Sequence, residues 1–185
     1  VVDACRRALV TQDDSGDEWY IVEVFDEDTR KNARDWLNRL RAPRLELGHS
    51  LSDALFPSVS LSTAALIDAN LNFADLNHAD LHGAVLHGAK LDFVDLNDAD
   101  LNDANLSHAD LNDANLNRAN LNRANLNHAD LHGAKLNGAK LNYAKLNGAK
   151  LNYAKLNYAK LNYAKLSHAD LNDADLNDAD LNDAD

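Results

Sequence analysis

Methionine is absent from this 185-residue chain and cysteine occurs once, as Cys5. Without a methionine, a chain opening at Val1 is expected to be processed or partial. A single thiol excludes an internal disulfide and a thiolate zinc cage. Proline (2), glycine (7) and aromatic residues (6%) are all scarce, so large side chains cannot fill a conventional core. No run of 18 apolar residues exists, which rules out a membrane-spanning helix. No basic-then-apolar leader opens the chain, so secretion has no support and a cytoplasmic location is expected. Lys and Arg total 18 against 30 Asp and Glu, a net charge of −12. That balance argues against nucleic-acid binding by phosphate neutralisation.

Composition changes near Ser50. Residues 1–50 hold both tryptophans and every glutamate. The spacing of Ala4, Cys5, Ala8 and Leu9 predicts a short helix over 2–10, and the polar stretch 11–17 predicts a loop. Residues 19–25, rich in β-branched and aromatic side chains, predict a strand. Asp28 or Thr29 can cap a helix running to about Leu40, ahead of Pro43. Its apolar stripe is Trp36, Leu37 and Leu40; Arg30, Lys31, Arg34, Arg39 and Arg41 remain polar. A lone strand leaves its edges unpaired, so a partner is expected in the first coil of the chain beyond Ser50 or in an upstream domain.

From Leu51 the chain repeats every five residues. Of the 27 positions from 51 to 181, Leu holds 26 and Phe56 one. Two residues before each, from 54 to 184, stand 25 Ala and two Val (Val59 and Val94). On an α-helix a step of five turns about 140°, which would spread Leu over every face. On a straight strand it would throw alternate Leu to opposite faces. A chain that turns after every pentad returns each Leu to one central axis, with Ala sharing the inward direction. Such units stack into a solenoid.

The pentads Ala69-Asn70-Leu71-Asn72-Phe73, Ala74-Asp75-Leu76-Asn77-His78 and Ala109-Asp110-Leu111-Asn112-Asp113 are similar to the A-(D/N)-L-x-x motif of the pentapeptide-repeat family. The resemblance covers 135 of 185 residues. It implies an all-β solenoid, a right-handed quadrilateral β-helix with four pentads per coil. At that rate 27 pentads make 6.75 coils, a rod about 32 Å tall at about 4.8 Å per coil. The expected organisation is a β-helix over 51–185, with residues 1–50 as a small α/β cap or the tail of an upstream domain. Phe56, Pro57, Val59 and Ile67 depart from the motif and predict an irregular first coil. Within 51–185 Asn follows Leu 17 times, placed to bond backbone at turns or its counterpart one coil away.

Residues 20 apart should share a face. The position before Leu is Asp or Asn through much of 95–130, and becomes Lys at Lys135, Lys140, Lys145, Lys150, Lys155, Lys160 and Lys165. This belt, with Tyr143, Tyr153, Tyr158 and Tyr163 beside it, is a candidate interaction surface. Only Tyr143 and Tyr163 have the spacing to stack. An acidic end comes next: Asp170, Asp173, Asp175, Asp178, Asp180, Asp183 and Asp185. Opposite-charge neighbours are expected at Lys150–Asp170, Lys155–Asp175, Lys160–Asp180 and Lys165–Asp185. His108 and His128 should stack, but two imidazoles fall short of a metal site.

No metal or cofactor is expected, and no catalytic residue. The repeat has no Glu, no phosphate-binding glycine loop, and a convex shape that offers no pocket to shift a pKa. The expected function is a non-catalytic structural or protein-interaction scaffold. Its partner would be another protein, or a second copy meeting the acidic last coil, head to tail against the basic helix. The alternative that the resemblance implies is DNA mimicry toward a type II topoisomerase such as gyrase. The repeat carries 19 acidic against 10 basic residues, but the Lys belt interrupts its negative stripe.

Overall fold

Each pentad closes a corner with a β-turn. The N–H of Ala64 donates to the carbonyl of Leu61 at 3.0 Å, and the same bond recurs in every pentad to Ala184 on Leu181 at 3.1 Å. The third residue of each turn has a positive φ, from 54° at Asp68 to 67° at Gly138. A left-handed third residue defines a type II turn. All five glycines of the repeat stand at this position, yet Asp, His, Tyr, Phe and Arg occupy it too. The stack of coils therefore imposes a conformation that costs a non-glycine residue roughly 1 kcal/mol.

This computed structural model describes residues 8–12, 18–22, 57, 58 and 60–185, the first two segments as backbone only. From Ser60 to Lys160, every residue that precedes a Leu forms a parallel bridge with the residue 20 positions later. Four turns per 20 residues make a quadrilateral β-helix. Leu61 through Leu161 and Ala69 through Ala164 fill its interior, nearly all of them fully buried. The inward assignment of both Leu and Ala holds.

The backbone N–H groups can be followed one by one. Leu66 donates upward to Val85 O at 2.7 Å, Asp68 to His87 O at 2.9 Å, and Val85 downward to Ala64 O at 2.8 Å; Ala closes the turn. One donor per pentad remains, on the residue after Leu. In Asp and Asn pentads the side chain two residues earlier accepts it, as Asp75 does from Asn77 at 3.1 Å, except that Asn112 donates to Asp92 one coil below at 3.3 Å. Lysine has no acceptor. In most Lys pentads the acceptor is the Asn side chain one coil below: Asn117 for Asn137, Asn122 for Asn142, Asn127 for Asn147; Asn152, after Lys150, has His132 below it instead. The expected Asn ladder is present, and at these positions it supplies the acceptor that Lys lacks.

Two strands lie in the N-terminal part: β1 (Ala8–Gln12) and β2 (Glu18–Val22), antiparallel with Val10 opposite Tyr20. The helix read over 2–10 is corrected at residues 8–10, which are strand. The loop read over 11–17 gives up Thr11 and Gln12 to β1. The strand read over 19–25 is present from Glu18 to Val22, and its partner is β1 rather than a coil of the repeat or an upstream domain. Leu9, Val10 and Thr11 suit a strand, and pairing satisfies an edge that a helix over 2–10 would leave open. The helix over 28–40, Phe56 and Val59 fall outside the described residues.

Candidate interaction surface

The coil register sorts the charged residues into four faces and four corners. Residues that precede Leu sit at face centres; those at the positive-φ position form the corners. Lys135 lies under Lys155, Lys140 under Lys160 and Lys145 under Lys165, while Lys150 lies between Asp130 and Asp170. All seven lysines are exposed. The belt is therefore a band two coils tall on three faces and interrupted on the fourth.

The expected opposite-charge neighbours share faces, as the bridges 150–170, 155–175 and 160–180 require. Within these shared faces the charged side chains choose other partners. Lys150 Nζ turns to Asp130 below it, at 2.9 Å. Asp175 and Asp180 instead accept the side-chain amides of Asn157 at 2.9 Å and Asn162 at 3.0 Å. Hydrogen bonds from the Asn152 side chain and the Asn172 N–H hold the Asp170 carboxyl below the usual carboxylate range. Short amides fixed on the turn reach these carboxylates at less entropic cost than long lysines do. The hydrogen bond and charge of Asp130 push Lys150 above its ordinary value.

Aromatic rings follow the corners. Tyr143 and Tyr163 stack with centroids 4.9 Å apart and planes 6° from parallel. Phe73 and Phe93 stack at 5.1 Å, and so do His108 and His128. Tyr153 meets His132 edge-on at 5.3 Å. Tyr158 has no ring partner and is the most exposed tyrosine of the belt, at 66%. Among the described residues no three metal-ligating side chains converge.

Two residues that sequence reasoning left out complete the surface. Arg123 stands one coil below Tyr143 and pairs with Asp103 at 3.2 Å. Arg118, two coils below Tyr158, approaches Asp98 at 3.9 Å. The same 20-residue spacing used for the lysines would have found both. Between these two corners runs the face whose centre carries Lys140 and Lys160. The convex rod was expected to offer no pocket, but a shallow groove of about 650 Å³ opens there. Asn102, Asn122, Asn142 and Asn162 line it along with Arg123, Tyr143, Tyr163 and Lys160. The spiral of corner side chains, tall at Arg123 and the tyrosines, builds its wall. Amides, cations and ring faces suit it to bind anions and flat groups; none of its lining residues is a carboxylate or histidine.

A model of pentapeptide repeats matches residues 50–83, 64–103, 99–138, 114–152, 129–162 and 149–185. Among solved structures the chain is similar to HetL, a pentapeptide repeat protein involved in heterocyst differentiation regulation in the cyanobacterium Nostoc. That likeness is at 34% identity over 76% of this chain and 77% of HetL, with a TM-score of 0.44. It is also similar to a trypsin-treated form of QnrB1, a plasmid-mediated fluoroquinolone resistance protein. Here the identity is 21% over 74% of this chain and 78% of that one, with a TM-score of 0.52, a likeness of fold to a right-handed quadrilateral β-helix. No curated protein matches the chain.

Proposed function

The chain belongs to the pentapeptide-repeat family, and from that premise we infer that it is a non-catalytic interaction scaffold. The rod is a rigid support, and the face bearing Lys140 and Lys160 is its contact surface. One observation carries this reading: a cationic and aromatic groove stands on a protein of net charge −12. Residues 1–50 belong to this reading as a cap on the rod. The coil 166–185 is a second proposed contact, for a protein partner or another copy, through the exposed acidic corners Asp173, Asp178 and Asp183. No helix of the described residues is long and apolar enough to cross a membrane.

The test compares proteins bound from the native extract by three forms: wild type, Lys140→Glu/Lys160→Glu, and Asp173→Asn/Asp178→Asn. Partners of the groove are lost only with the lysine variant, and partners of the last coil only with the aspartate variant. Equal recovery by all three would remove both contacts. DNA mimicry, the competing reading, predicts inhibition of gyrase supercoiling at micromolar protein. The fold shared with QnrB1 carries no partner across at 21% identity.

A further inference from the structure

Five corners of the repeat carry glycine, and each leaves a gap one side chain high in its column. Three of the gaps are occupied from below. A Cβ at Gly148 would meet the His128 ring at 2.6 Å, one at Gly133 the Asp113 carboxylate at 2.5 Å, and one at Gly88 the carboxylate of Asp68. Two are open. At Gly83 the nearest atom is the Cγ2 methyl of Thr63 at 3.6 Å, and at Gly138 it is Cγ of Arg118 at 3.8 Å. The gap at Gly138 differs from that at Gly83 in what bounds it: the aliphatic stem of Arg118 below and the exposed Tyr158 above.

The coil sets the dimensions of this notch. Adjacent corners stack rings 4.9 to 5.1 Å apart, as the Tyr143–Tyr163 and Phe73–Phe93 pairs show. Arg118 and Tyr158 are two coils apart, about 9.6 Å, so the missing side chain leaves room for one flat ring stacked on Tyr158. The faces on either side of this corner carry Lys135 with Lys155 and Lys140 with Lys160, paired by register and exposed. Asp98 holds Arg118 from below, and Asp178 occupies the same corner one coil above Tyr158. An anion therefore fits beside the notch on the lysines, where the groove opens at Lys160, and not above it.

We propose that the Gly138 notch binds a small planar aromatic anion, with its ring between Arg118 and Tyr158 and its phosphate or carboxylate on Lys140 and Lys160. This deepens the reading of that face as the contact surface and rests on it. The chemistry is that of a nucleotide or of a phosphorylated phenol.

Calorimetry of the full chain at low ionic strength, where exposed charges are least screened, tests it with ADP, phenyl phosphate and pyrophosphate. The two ring-bearing probes should bind about tenfold tighter than pyrophosphate, the worth of one stacked ring. ADP binding tighter than phenyl phosphate assigns the notch to nucleotides; equal binding assigns it to single-ring esters. In Gly138→Tyr the protein's own ring fills the gap, and the backbone accepts it because Tyr143, Tyr153, Tyr158 and Tyr163 all hold φ near 60°. That variant should lose the tenfold advantage while keeping the pyrophosphate affinity. Lys140→Gln/Lys160→Gln should weaken all three probes. Ring probes no tighter than pyrophosphate, an advantage surviving in Gly138→Tyr, or no binding of any probe would overturn the proposal. The comparison of extract partners judges the contact surface separately.

Discussion

The side-chain oxygen of Asn142 accepts the backbone N–H of Asn162, one coil above, at 3.2 Å. Lys160, two residues before that N–H, has no acceptor to offer it. Asn77 stands in the opposite situation. Its side-chain oxygen accepts nothing, because Asn97 above it bonds to Asp95 at 3.0 Å. Asn142→Ala should therefore destabilise by about 1–3 kcal/mol, the cost of an orphaned donor. Asn77→Ala should stay within about 0.5 kcal/mol. Denaturant titration of both variants checks this, and equal losses would mean that the ladder does not satisfy the Lys pentads.

Leu116 is fully buried in the Leu column. Leu116→Ala should cost about 2–5 kcal/mol through lost burial and the cavity left behind. Leu116→Asp should unfold or split the rod, since a buried charge finds no partner there. Asp113→Asn, at an exposed corner where φ is 55°, should change stability by less than about 0.5 kcal/mol. Thermal melts of the three variants separate inward from outward positions.

Gly83 and Gly148 share a φ of 64° but differ in the space around them. Gly83→Ala adds only the left-handed strain, about 1 kcal/mol. Gly148→Ala adds the displacement of His128, whose Nδ1 would lie 2.6 Å from the new methyl group. The second variant should melt at a lower temperature than the first, and its His128 ring resonances should shift.

Asp110 has a carboxyl pushed above the usual carboxylate range, first by partial burial and then by the charges of Asp92 and Asp130. The folded state thus favours the protonated form. The penalty is present above the folded pKa and is relieved as pH falls through it. Asp110→Asn should raise stability at neutral pH by about a few tenths of a kcal/mol, a small effect because the group is exposed. The gain should vanish in acid; melts from neutral pH down into acid would reveal the opposite slope if the sign were reversed.

The amino-acid sequence by itself determined the solenoid. A five-residue Leu period fits neither a helix nor a flat strand, and with the four pentads per coil that the family resemblance implies it places Lys150 over Asp130 and Tyr143 under Tyr163. It also placed a strand near Trp19, since β-branched and aromatic residues favour extended backbone. The tertiary structure decided what register cannot express. A face holds several donors and acceptors within reach of one another, and their geometry chose Asn157 and Asn162 over lysines as partners of Asp175 and Asp180. How far a corner gap is filled depended on the side chain below, which would clash with a Cβ in the case of His128 and meet it at ordinary contact in the case of Arg118. The pairing of β1 with β2 is non-local, and no periodicity over 2–10 could disclose it. Periodic burial is a property of the chain read in order; the choice among neighbouring partners exists only once the coils are stacked.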